Sequence, residues 1–374
     1  MAKTGGESKW YYFNLVVLVL LAGLRYRVGS DTLMYMSVFE ECPKLDELKY
    51  FDFSEAKYNP LWYILNAVSR SIYDNFTLFQ IIHAIIVNSV FFWFFRKYCP
   101  SYYFSAILLY FFGYFCYFNM EVMRESLCIC VLLLAMPLYM DRRWIPYYVL
   151  CVVAINFHYS AIVMFFLPFL LFFKQPSWRW QVAIFIVIFV LLKVVNVPAL
   201  LLDVLGLNEQ LTLLLKNYLD LERSVMGMIS EVVKYLPIFV FICVREAKGI
   251  TDKYDLTPLV MGVVIFYSMA MGIGGFSRFI NYFVPFIIIY VVNTFYKILS
   301  LDYKQMQITM LSSVCALLLL LLNMASFYLG DVSTVYPDTR AYVRYIPYHS
   351  VLDPQIDEHR ERFVENDREV AIEF

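Results

Sequence analysis

Residues Trp144–Phe173 read WIPYYVLCVVAINFHYSAIVMFFLPFLLFF, 30 residues without Asp, Glu, Lys or Arg and with one histidine, His158, at the midpoint. As helix at about 1.5 Å per residue, an arm of 14 residues reaches roughly 21 Å. The hydrocarbon core of a bilayer is about 30 Å thick. The stretch therefore predicts two short membrane-embedded arms that meet below the outer surface. His158 would sit in a depression open to that side, since irregular backbone at such depth is tolerated where it lines a water-filled cavity.

The rest of the chain follows the same pattern. Of its 374 residues, 61% are hydrophobic and 16% charged, against about 45–50% and 25% in a soluble domain. Mean hydropathy is +0.63. These values exclude a soluble globule and a disordered chain, and the lack of a regular alternating pattern argues against a transmembrane β-barrel. The expected fold class is all-α, a polytopic transmembrane helix bundle of about eleven spans. They are Trp10–Leu24, Thr77–Phe95, Tyr102–Phe118, Ser126–Met140, Trp144–Phe157, Ser160–Phe173, Trp180–Val195, Ile229–Val244, Pro258–Gly274, Phe279–Tyr296 and Met306–Leu329. Residues 1–330 form the membrane domain, with outer loops at 25–76 and 196–228, and 331–374 form a charged outer-side tail. A half-polar stretch at Pro60–Tyr73 and an amphipathic one near Glu209–Leu221 suit interfacial lids. The net charge of −1 gives no field to draw nucleic acid, so none is expected as partner. Most of the eight cysteines lie in apolar runs, where cysteine is a small hydrophobe.

Loop charge sets the orientation. Lys3 and Lys9 precede the first span, and alternate breaks carry Arg96 and Lys97, Arg142 and Arg143, Lys174 and Arg179, Arg245, Lys248 and Lys253, and Lys297 and Lys304. All fall on one side if the N-terminus is cytoplasmic. The first segment is taken as a span because Leu21-Ala-Gly-Leu-Arg25 is a poor signal-peptidase site. The opposite side receives Arg25, Arg27 and Asp31, then Glu121, Arg124 and Glu125, then His158, then Arg278. The positive-inside bias does not account for arginines there.

An ionised side chain at membrane depth is costly unless it faces a cavity or a partner. Arg25, Arg124 and Arg278, with Arg27, would together make a cationic site for a diphosphate, because the planar guanidinium binds phosphate oxygens two at a time. Bland alternatives exist: Arg27 with Asp31, and Glu121 with Arg124, have helical ion-pair spacing, and Arg278 can snorkel to headgroups. A departing polyprenyl diphosphate needs fixed cations, and an attacking sugar hydroxyl needs a base. His158, with a reference pKa of about 6.5, is the preferred base over Asp31 and Glu121. Asp31 would orient the arginines or the acceptor. Outer-face tyrosines (Tyr35, Tyr58, Tyr63, Tyr159, Tyr282) suit sugar stacking, beside their commoner role in an interfacial belt. No GxxxxGK[ST], HExxH or GxSxG motif is present.

Arg25-Tyr-Arg-Val-Gly-Ser-Asp31, with Tyr35 four positions on, resembles the RxxVGxD…Y signature of EpsG-type, Wzy-like polysaccharide polymerases. Phe157-His158-Tyr-Ser-Ala161 resembles that family's FHxSA segment, Arg124 its arginine at the head of a span, Ser277-Arg278-Phe-Ile-Asn-Tyr282-Phe283 its late Arg…Tyr-Phe motif, and Pro347-Tyr348 its C-terminal Pro-Tyr. The chain departs at Glu125, where the family usually has Gln, at Arg27, where a small polar residue is common, and at Asn59-Pro60, which replaces a Glu. The resemblance implies a GT-C-like glycosyltransferase in a bacterial inner membrane, N-terminus cytoplasmic and C-terminus periplasmic. It would join polyprenyl-diphosphate-linked oligosaccharide units into capsule, O-antigen or exopolysaccharide, with no cofactor, nucleotide sugar or metal. The outer carboxylates likewise lack metal-ligand spacing. Arg25, Arg124 and Arg278 would bind diphosphate, His158 and Asp31 would be catalytic, and Arg27, Tyr35, Glu121 and Tyr282 would contact substrate. Its partners would be that lipid-linked oligosaccharide, the bilayer and other polysaccharide-assembly proteins. A flippase of lipid-linked sugars would distribute its charges through the span centres and show symmetric halves. A polysaccharide acyltransferase would have no use for the arginines.

Overall fold

A computed structural model describes residues 5–54, 56–172, 177–194, 225–254, 256–272, 274–300, parts of 311–329, and 340–364. Every regular element among them is helical. The first seven helices are α1 (Gly5–Gly23), α2 (Thr32–Glu41), α3 (Pro60–Ile72), α4 (Phe76–Tyr98), α5 (Tyr103–Gly113), α6 (Met123–Met140) and α7 (Trp144–Ile155). Then come α8 (Trp178–Val194), α9 (Val225–Ala247), α10 (Thr257–Gly272) and α11 (Val284–Leu299). Phe76–Tyr98, Met123–Met140 and Ser277–Leu299 are long and apolar enough to cross a membrane; other helices, such as Lys9–Gly23 and Trp144–Ile155, are apolar but shorter. The chain is thus a helical membrane protein of the expected class.

Several expected elements take a different form. The sixth span, expected as a plain helix, is a 3-10 turn at Tyr159–Ile162, one α-turn at Val163–Phe166 and 3-10 helix at Leu167–Phe172. Pro168 lies in the last of these and cannot donate to an α-helical ladder. The outer stretch 25–76 holds two helices, α2 as well as α3. Of the expected outer loop 196–228, residues 196–224 lie outside the described residues, and α9 already begins at Val225. The span Met306–Leu329 is only partly described.

The chain divides into two compact units, Met1–Phe165 with Met324–Phe374, and Phe166–Asn323. In the first, α1 lies along α4. Gly23 permits the close approach: a Cβ there would stand 2.8 Å from Ile81 Cγ1. The Tyr11 ring packs 5.5 Å from Phe92, and the Arg96 guanidinium lies 4.7 Å over Tyr11. The start of α1 therefore meets the end of α4. In this unit Arg96, Lys97, Arg142 and Arg143 gather at one end of the bundle. Arg25, Asp31, Glu121, Arg124 and His158 gather at the other. The interior of α4 carries a buried polar network, in which Asn88 donates to Asn119 at 2.8 Å and Asn119 donates to Tyr110 at 2.9 Å. These groups satisfy one another where water is absent.

In the second unit α10 packs against α8, α9 and α11. Arg245 at the end of α9 pairs with Asp252 at 2.7 Å, and Lys297 at the end of α11 pairs with the same carboxylate at 2.6 Å. Asp252 thereby offsets two of the cations that the loop-charge pattern assigns to the cytoplasmic side.

Candidate functional site at one end of the bundle

The loop after α1 is held by its own arginine. Arg25 is fully buried. Its Nε donates to the Val28 carbonyl at 3.2 Å, Nη1 to the Ala22 carbonyl, and Nη2 reaches Met123 Sδ at 3.3 Å. Turned to its hydrogen-bonding orientation, the Gln80 amide also bridges Arg25 Nε at 3.1 Å. Arg25 thus spends its donors on fixing the loop. Gly29 completes the turn at φ +106, where a Cβ would lie 2.7 Å from the Met120 carbonyl, so both conformation and space require glycine. Arg27 adopts φ +53, which turns its side chain to Glu361. It does not pair with Asp31 four residues on.

Glu361 belongs to a C-terminal strap, residues 340–364, that packs onto this loop. Gly29 N–H donates to the Arg344 carbonyl at 2.8 Å, Tyr26 N–H to His349 at 2.8 Å, and Val351 N–H to Leu24 at 2.8 Å. Arg360, only 2% exposed, donates to the carbonyls of Val343 at 2.9 Å, Arg27 at 3.3 Å and Pro347. The strap also takes up Glu121. Tyr345 donates to its carboxylate at 2.6 Å and Arg344 lies 3.4 Å away. Burial, with the charge of Glu121 added, pushes the Tyr345 phenol well above its ordinary value. The strap is invisible to sequence reasoning because Asp357–Arg362 looks like an ordinary solvated charge run.

Arg124, in the first turn of α6, has a different set of neighbours. Its guanidinium lies 3.8 Å over the Tyr58 ring and beside the Tyr35 hydroxyl, and its Nε is buried with no hydrogen-bond partner. Among the described residues it forms no ion pair. Tyr35 also feels the charge of Asp31, the N-cap residue of α2. Burial, then Asp31, push the Tyr35 phenol up, while Arg124 opposes them. Two of the tyrosines expected to stack on sugars thus lie against the arginine. Tyr63 is buried, and Tyr159 is exposed.

The segment carrying His158 lies against α6 one turn below Arg124, with Cys128 Sγ reaching the Ala154 carbonyl at 3.1 Å and the His158 carbonyl at 3.8 Å. Asn59 ties the chain before α3 to the same place, donating to the Ile155 carbonyl at 2.9 Å. Half-buried His158 accepts the Ser160 backbone N–H at Nδ1, 3.1 Å, with Ser160 Oγ at 2.7 Å. An Nδ1 that accepts leaves the proton of the neutral ring on Nε2. In that tautomer Nε2 is a donor.

Beside α2 an open cavity of 460 Å³ is lined by Arg25, Arg27, Met36, Phe39, Glu40, Arg70, Asp74, Asn75, Gln80 and Val351, among others. His83, buried in α4 and missed in the sequence reading, bonds the Met123 carbonyl at 3.0 Å and Ser126 Oγ at 3.1 Å. It and Gln80 carried a usable signal, as polar residues inside an apolar span. Arg278, exposed, and Tyr282, fully buried, belong to the second unit. Among the described residues no three His, Cys, Asp or Glu side chains gather around a point that could hold a metal ion.

A family model, EpsG family, matches residues 9–350. The chain belongs to the EpsG family. Membership carries a membrane polysaccharide-polymerase-like role, acting on a lipid-linked polysaccharide substrate. No curated protein and no solved structure gives a match. The EpsG match ends at residue 350, so Arg360 and Glu361 lie beyond it.

Proposed function

We propose that this EpsG-family chain is a glycosyltransferase that joins polyprenyl-diphosphate-linked oligosaccharide repeat units into capsule, O-antigen or exopolysaccharide on the periplasmic face. The observation that carries this reading is Arg124: a cation stacked on Tyr58, with a buried Nε still to be satisfied. A diphosphate supplies both the charge and the acceptor that such a group lacks. In the proposed reaction, a hydroxyl of the incoming unit attacks the anomeric carbon of the growing chain. The carbon–oxygen bond to the diphosphate breaks, and polyprenyl diphosphate leaves with the bonding pair. Arg124 stabilises the departing charge. Nε2–H of His158 donates to a substrate oxygen. Asp31, whose neighbour Arg27 is turned to Glu361, takes the proton of the attacking hydroxyl. Arg25 keeps the loop that presents Asp31 in place.

The test replaces Arg124, His158 and Arg278 singly with Ala and sizes the cell's polysaccharide at matched protein levels. Loss of long chains, with single lipid-linked units building up on the outer leaflet, is the expected result. Long chains from Arg124→Ala and His158→Ala would reject the assignment, and build-up on the inner leaflet would point to a flippase.

A further inference from the structure

We propose that the 460 Å³ cavity beside α2 is a carbohydrate subsite, which receives the sugar portion of a lipid-linked unit whose diphosphate lies at Arg124. The inference rests on the reading of Arg124 given above and assigns the cavity a different chemistry. Its volume falls within the range of about 300–1,000 Å³ typical of small-molecule sites.

Charge decides the ligand class. Of the arginines on the cavity wall, Arg27 is already paired with Glu361, and Arg70 donates to Asp74 at 2.8 Å and to the Glu40 carbonyl at 2.7 Å. Arg25 is spent on carbonyls. A diphosphate entering here would find its counter-charges already engaged, and the carboxylates of Glu40 and Asp74 in the wall would repel it. A sugar hydroxyl both donates and accepts, so it suits a wall that carries carboxylates, guanidinium edges and the amide of Asn75. The paired charges also hold those side chains in fixed positions, which lowers the ordering cost of binding a polyol.

Position supports the same assignment. Asp31 and Tyr35 lie one helical turn apart beside Arg124, and Phe39, one turn further on the same stripe of α2, lines the cavity together with Met36 and Glu40. The phosphate and sugar regions therefore follow one another along a single helix. Val351, on the strap, also lines the cavity.

The experiment titrates the purified full-length protein in detergent with two probes. One is inorganic pyrophosphate. The other is the repeat-unit oligosaccharide released from the cell's own polymer and freed of lipid and phosphate. Met36→Trp, which fills the cavity, is expected to weaken oligosaccharide binding at least tenfold and to leave pyrophosphate binding intact. Glu40→Leu, an exposed change that threatens the fold less, is expected to weaken the oligosaccharide about fivefold. Arg124→Ala should show the opposite pattern, losing pyrophosphate and keeping the oligosaccharide. Unchanged oligosaccharide binding in both cavity variants overturns the subsite. Unchanged pyrophosphate binding in Arg124→Ala overturns the reading of Arg124 and leaves the cavity result standing.

Discussion

Two sets of arginines flank α2, and they are neutralised in different ways. Arg27 and Arg70 face carboxylates, Glu361 and Asp74, and hold the chain in place. Arg124 faces rings and hydroxyls, Tyr58 and Tyr35. The comparison teaches that an arginine on the outer side of a membrane protein is assigned by its partner and not by its position. Sequence placed Arg27 and Arg124 on one face; only their partners separate the one that holds the chain in place from the one that lies on rings.

The sharpest way to break this distinction is to remove Arg124. Arg124→Ala should slow polymerisation by about 10²–10³-fold, the usual effect of losing a donor aimed at developing charge. Polymer chain-length analysis at equal expression would reveal it. Arg124→Lys should recover only part of the rate, because a point charge neither stacks on Tyr58 nor binds two oxygens. A smaller loss, roughly 10²-fold, is expected for His158→Ala. His158→Gln, which keeps an N–H donor, should retain more activity than Ala; equal loss in both would favour a proton-accepting role.

How much of this was legible in sequence follows from the range over which patterns act. Apolar runs such as Thr77–Phe95 marked helices and their direction, because burial and backbone satisfaction in lipid are local demands. The motif around Arg25–Asp31 and His158 put these residues in one region. The helix α2 was hidden because ten residues of mixed polarity do not announce themselves. The strap was hidden because its contacts join residues more than 300 apart, as Arg27 and Glu361 do. The sequence therefore offered Arg25 and Arg124 as equals. Nothing local tells that one donates to Ala22 and Val28 while the other lies on Tyr58.

The paired set gives the next prediction. Arg27→Glu and Glu361→Arg should each impair polymerisation, and the double reversal should restore it, with a coupling of about 1–3 kcal/mol. Additive losses would remove Glu361 from the site. Tyr345→Phe leaves Glu121 with one partner fewer and should cost about 1–2 kcal/mol of stability, seen as a lower melting temperature with little change in rate. The smallest effect concerns pH. The hydrogen bond from Arg70 holds the exposed Asp74 carboxyl below its ordinary value. The pair's contribution is complete above the unfolded carboxylate pKa of about 3.9 and fades as pH falls through the lower folded value. Asp74→Asn should flatten that acid limb slightly and leave neutral pH unaffected.

The most direct measurement supplies the purified protein in vesicles with a lipid-linked repeat unit as the only sugar source, and counts polyprenyl diphosphate released against linkages formed. The account predicts a polymer ladder, one diphosphate per linkage, and a rate at least about 10²-fold lower for Arg124→Ala. A ladder formed at the wild-type rate by Arg124→Ala, or diphosphate release without linkage, would contradict it.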